Sequence, residues 1–267
     1  MSKLHTPLPW FIALKWLRAG WSDFSATRFA GIFYGLVFTA LGYLLAFVYG
    51  NYWKATMGLT TSFFLMGPIV CTGVYALSRQ LERNEPLSLV KSWTAWQTNW
   101  KSIGLFAVIL TFLMIVWARV SVVLFALFAS HDYPNVQNML AQIVSTRNLE
   151  FLMVWTGVGA AFATLAFAIS VVSIPLLLDR EAGAMEAIFT SLVALWENPW
   201  ACFVWAVLVV ALIGVSLFVF KPLLIVTAPW VGHATWKAYQ SLVGESTIEN
   251  QHPLAPTIQI NAGVVQW

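Results

Sequence analysis

Apolar residues come in runs too long and unbroken for an amphipathic surface helix. They extend from Phe29 to Gly50, Met57 to Leu77, Ile103 to Ala129, Phe151 to Leu178 and Trp200 to Phe220. Each is close to the roughly 20 residues that an α-helix needs to cross the hydrocarbon of a bilayer. A sixth run starts at Leu223, after Lys221-Pro222, and its helix can continue past Lys237 to Leu242. The pattern predicts an all-α membrane protein of six transmembrane helices, about 29–50, 57–77, 103–129, 151–178, 200–220 and 223–242. Residues 1–28 are expected to form a cytoplasmic N-terminus with an interfacial helix, 29–243 the membrane domain, and 244–267 a flexible cytoplasmic tail. The loop between the third and fourth spans places Val136, Met139, Leu140, Ile143 and Val144 on one helical stripe, which predicts a short surface helix.

A polar, aromatic lead-in precedes each outward span: Trp16 to Phe24, Trp93 to Trp100 and Ala194 to Trp200. Each returning span carries one proline, namely Pro68, Pro175 and Pro229. Proline cannot donate to the carbonyl four residues earlier, so Phe64, Val171 and Ile225 are expected to turn a free carbonyl toward the bundle interior, since lipid offers no donor. The repeating unit is thus an interfacial amphipathic helix, an outward helix and a kinked return. Three parallel helical-hairpin repeats about a pseudo-threefold axis are the expected architecture.

Composition agrees: charged residues are 9% and hydrophobic ones 60% of the chain, against roughly 25% and 45–50% in soluble domains. The formal charge of +3 gives no reason to expect nucleic acid. Orientation follows from the positive residues. Lys3, Lys15, Arg18, Arg28, Arg79, Arg83, Lys91, Lys101, Arg180 and Lys237 fall on one side, and Lys54, Arg147 and Lys221 on the other. By the positive-inside rule both termini are cytoplasmic. Cys71 and Cys202 then lie toward the reducing side, and no disulfide is expected.

The stretches Ser170 to Arg180 and Pro229 to Tyr239, with Gly67-Pro68 and Leu81 to Pro86, resemble a bacterial family of integral membrane proteins classed as a domain of unknown function. The similarity runs from about Trp10 to Leu242. It implies an inner-membrane protein without an established activity. Some members carry the label of a cytochrome c oxidase protein, which implies an accessory, assembly or neighbouring protein of a respiratory complex. A haem–copper catalytic subunit is excluded, because it needs several imidazoles inside the membrane. Here His5 and His252 lie in the tails, His131 in a loop, and His233 alone near the end of a span.

The remaining chemistry is sparse. No segment offers two metal ligands with a third in reach, so no metal or other cofactor is expected. No phosphate-binding glycine loop occurs, and Thr156 to Ala161 is expected to let helices pack closely. Four residues after each proline stands a polar side chain: Thr72, Asp179 and His233. These either mark the helix exits or converge at an inner mouth. Arg119, inside the third span, is expected to snorkel or to pair with Glu150; otherwise it contacts an anion or lipid headgroup. Asp179 and Arg180 are expected in a charge network with Arg79, Arg83 and Lys237, while His233, Trp236 and Asp179 are candidates for a small polar site.

The expected function is non-catalytic: an accessory, assembly or scaffolding protein contacting the bilayer and another membrane protein, such as a respiratory oxidase. The alternative is a channel or transporter for a small solute through the centre of the ring. An enzyme would require His233 and Asp179 to meet within hydrogen-bonding reach.

Overall fold

A computed structural model describes residues 8–51, 69–128, 149–180 and 182–244, and all regular structure among them is helical. Helix α1 (Ile12–Thr27) is followed by α2 (Phe29–Asn51), and α3 covers 69–82. A short α4 (Leu89–Trp93) and a 3-10 turn (Ala95–Asn99) lead into α5 (Trp100–Phe128). Then come α6 (Leu149–Ser170), α7 (Ser173–Asp179), α8 (Ala184–Glu197) and α9 (Pro199–Phe218). A 3-10 turn (Lys221–Leu223) precedes α10 (Leu224–Val243). All three expected lead-ins are therefore largely helical and run directly into a long apolar helix.

Three runs are long and apolar enough to cross a membrane: Leu89–Phe128, Leu149–Asp179 and Pro199–Leu217. The pair Ile12–Thr27 and Phe29–Leu44, bent by 106°, would add a fourth. This is fewer than six for two identifiable reasons. Residues 57–68 of the expected second span, with Pro68 and Phe64, lie outside the described residues, as do the loop stripe and the tail after Gly244. The expected sixth span, α10, lacks the apolarity of the others because it is the hub of the molecule. It packs against α1, α2, α7, α8 and α9 and buries Thr227, His233, Trp236 and Tyr239. A helix that meets protein rather than lipid on most sides can carry polar groups, provided that its neighbours satisfy them.

Close backbone approach makes this packing possible. A Cβ on Gly20 would lie 2.5 Å from the Ala234 nitrogen, and one on Gly232 would lie 2.7 Å from a Val74 methyl. A Cβ on Gly35 would fall onto the Ile225 carbonyl oxygen. That carbonyl is the one expected to be released by Pro229, and it faces α2 in the bundle interior. Near Pro175 serines bond carbonyls other than that of Val171. The chain breaks at Val171-Val172, ahead of the proline. There the Ser191 hydroxyl donates to the Ala168 carbonyl at 2.7 Å, and the Ser173 hydroxyl lies 2.6 Å from the Ile169 carbonyl.

The α1–α2 bend turns on Arg28, which has φ 41°, a left-handed value that costs a side-chain-bearing residue roughly 1–2 kcal/mol. Tyr34, fully buried on α2, bonds Ser92 of α4 at 3.0 Å and packs on Gly73 of α3. The C-terminal carbonyls of α7 are also satisfied from outside. Arg79 donates to Leu178 at 2.8 Å, and Asn99 to Leu177 at 3.0 Å and Ala182 at 2.9 Å. Cys71 and Cys202 are free thiols.

Candidate functional site: a polar junction of three helices

The densest polar cluster lies where α1, α3 and α10 meet. Its members come as pairs four residues apart, hence on one face of each helix: Asp23 and Thr27 on α1, Ser78 and Glu82 on α3, His233 and Lys237 on α10. The His233 ring is fully buried, with Nδ1 2.6 Å from the Ser78 hydroxyl and Nε2 3.2 Å from the Thr27 hydroxyl. One turn further along α10, Lys237 Nζ bridges two carboxylates, 2.7 Å from Glu82 and 3.2 Å from Asp23. Gln240 donates to the other Glu82 oxygen at 2.6 Å. Burial pushes the Asp23 carboxyl above its ordinary value, and the ammonium of Lys237 pulls it back down.

A second cluster surrounds Asp179 at the end of α7. Tyr239 donates to one carboxylate oxygen at 2.9 Å, and Arg83 lies 3.7 Å from the other. Arg180 stands beside the same tyrosine hydroxyl. The expected network is thus divided: Arg83, Asp179 and Arg180 share one group, Arg79 caps a backbone carbonyl, and Lys237 turns to Asp23 and Glu82. His233 and Asp179 do not bond to each other, since each is satisfied by different partners. Thr72 is fully buried and donates to Ile69 of its own helix at 2.6 Å.

Trp236 joins neither ion cluster. It is 1% exposed, stacks 6.4 Å from Tyr75 and lies 5.5 Å from Tyr239, and its indole N–H has no hydrogen-bond partner among the described residues. Residues absent from the expected site include Asp23, Thr27, Ser78, Glu82 and Gln240. The signal that marks most of them was present in the four-residue spacing on three separate segments.

Arg119 is exposed on α5 and forms no ion pair among the described residues. The expected partner, Glu150, lies at another depth. Phe151 packs against Phe125 and Phe128, whereas Trp117, two residues from Arg119, packs against Trp155 and Phe162. Glu150 is therefore level with the end of α5, well beyond Arg119.

The small-residue run on α6 also behaves differently from expectation. Nothing lies within 4 Å of a Cβ added at Gly157, and Gly159 faces the Trp117 side chain rather than a backbone. Ala160, within the run, and Thr164 beyond it line an apolar groove of about 980 Å³ shared with Trp196, Trp200 and Phe203. Three tryptophans, Trp16, Trp205 and Trp236, are core residues, whereas Trp93, Trp100, Trp196 and Trp200 are exposed around the lead-ins. That division fits an aromatic belt at a membrane interface.

Apolar helices with exposed sides, joined by a polar junction whose Thr27, Ser78 and His233 are buried in protein, are the anatomy of an integral membrane protein. A family model agrees. Residues 55–179 match DUF2189, described as predicted integral membrane protein. The DUF2189 match takes in α3 to α7, including Thr72, Arg119 and Asp179, and the family has no assigned activity. No curated protein and no solved structure matches the chain.

Proposed function

We propose that this protein is a non-catalytic accessory, assembly or scaffolding protein of the bacterial inner membrane, with both termini cytoplasmic. The observation that carries this reading is the bonding of the polar junction. Asp23, Thr27, Ser78, Glu82, His233 and Lys237 engage one another, and His233, the one imidazole near a span, is fully enclosed. A buried imidazole bonded through both nitrogens in this way fixes helices instead of meeting a substrate.

The pseudo-threefold ring of hairpins belongs to the same reading. It is supported by the recurrence of lead-in helix and long apolar helix, and by α1 packing on α10 as α8 packs on α6 and α7. A ring whose polar groups point inward meets other proteins through lipid-facing helices and the exposed tryptophans. A respiratory oxidase is the first partner to test, because of the family resemblance.

The experiment is affinity isolation of the tagged protein from its own membranes in native nanodiscs, with mass spectrometry and a haem spectrum. Stoichiometric recovery of a membrane complex is expected. Recovery of this chain alone, without haem, would overturn the reading.

A further inference from the structure

The face of α5 turned away from the bundle carries Leu105, Val108, Phe112, Ile115, Arg119, Val122 and Ala126. Their spacing alternates between three and four residues along seven positions, the seam of a helix that packs lengthwise against another. Its apolar members from Leu105 to Val122 are 43 to 66% exposed, and Ala126 is exposed too. On the opposite face Ile103, Phe106 and Ala107 are buried, and Trp117 packs on α6. The Leu89–Phe128 run has 6% of its most apolar stretch buried, against 50% for Leu149–Asp179.

Arg119 interrupts this seam in an awkward place. Nine residues of α5 follow it, Val120 to Phe128, adding about 13 Å of helix, and among them Leu127 is 74% exposed. The stretch from Ile103 to Phe128 is about 39 Å long, against roughly 30 Å of hydrocarbon. An upright α5 leaves Arg119 about 6 Å short of the far interface but carries the exposed Leu127 about 6 Å beyond it. A tilted α5 covers Leu127 but sets the Arg119 backbone roughly 11 Å inside the hydrocarbon, so that the side chain must reach for the interface. A carboxylate supplied at that depth removes the conflict.

We propose that the α5 seam docks one transmembrane helix of a different protein, and that Arg119 pairs there with an Asp or Glu inside the partner's span. A second copy does not fit. A two-fold pairing of α5 sets Arg119 against Arg119, and the sequence has no acidic residue in the interior of an expected span. The inference rests on the accessory reading and specifies which face and which charge it uses.

The test places a photo-reactive amino acid at Phe112, Ile115 or Val122 on the seam, and at Leu110 on the opposite face, in the full-length protein in its own membranes. The seam positions should cross-link to one polypeptide, through a peptide containing Asp or Glu within an apolar span, and Leu110 should not. Arg119→Leu should cut the yield at least about tenfold while insertion persists, and Arg119→Lys should restore most of it. Arg119→Glu should recover only with the partner's acid changed to Lys. Cross-links to lipid alone, to a second copy, or to a helix without an acid overturn the seam. A complex that survives Arg119→Leu with cross-links from other faces overturns the seam but leaves the accessory reading standing. Absence of any partner removes both.

Discussion

Replacing Gly35 with alanine adds one methyl group where α2 crosses α10. The new carbon would overlap the Ile225 carbonyl oxygen and lie 2.6 Å from the carbonyl carbon and 2.7 Å from Cα. The obstacle is backbone, which cannot rotate aside, so the two helices must separate by about 1 Å or more. Neighbouring Tyr34 is already enclosed by Gly73 and Ser92, so the shift disturbs a second packed site. Overpacking of this kind costs about 1–3 kcal/mol and occasionally more, and a backbone clash belongs at the upper end, about 3 kcal/mol. For a domain of this size that lowers Tm by roughly 6–12 °C. Gly214→Ala is the matched control, because no atom lies within 4 Å of its added carbon and alanine favours a helix by about 1 kcal/mol over glycine. Fluorescence-detected size-exclusion chromatography after heating in mild detergent reads both variants. Equal Tm values for the two, or a higher value for Gly35→Ala, would refute the close crossing of α2 and α10.

Lys237→Met leaves Asp23 and Glu82 facing each other without their cation and should destabilise by about 2 kcal/mol at pH 7. Because this raises a folded-state carboxyl pKa, the deficit should shrink as the pH falls toward about 4, measured by thermal melts across pH. Asn99→Ala strips a donor shared by the Leu177 and Ala182 carbonyls and should cost about 1–3 kcal/mol; an unchanged Tm would count against that link. Arg28→Gly removes a left-handed strain at the α1–α2 bend and should leave stability unchanged or raise it by about 1 kcal/mol. A marked loss would show that the Arg28 side chain matters more than its backbone.

The helices and their sequence of lead-in and span are legible in the chain because lipid imposes long apolar runs on α5, α6 and α9 and a polar, tryptophan-rich interruption between them. Hydropathy reads contact with lipid, however, and α10 touches mostly protein. Its polar residues therefore look like a weak span when they mark the centre of the structure. The proline rule anticipated a released Ile225 carbonyl facing inward, yet not that a glycine on α2 would lie against it, since that depends on a crossing of distant segments. The same limit explains His233. It stands out among apolar residues, but Asp179, the partner suggested by its place after Pro175, bonds to Tyr239 and pairs with Arg83 instead. Ser78 and Thr27 could be found only by aligning the paired polar positions on three helices.

Thr27 and His233, in contact across the polar junction, are 206 positions apart in the chain. At typical rates of about 5–20 residues per second, the ribosome makes α1 roughly 10–40 seconds before the histidine that completes its buried face. During that interval Gly20, Asp23, Thr27 and Gly35 present an unfilled groove in the membrane. The nascent N-terminal half must either be held by an insertion factor or stay clear of other helices until α10 emerges. The timetable of synthesis therefore makes α10 the closing step of assembly, and a ribosome stalled before residue 224 leaves a chain whose apolar helices are inserted but whose centre is missing.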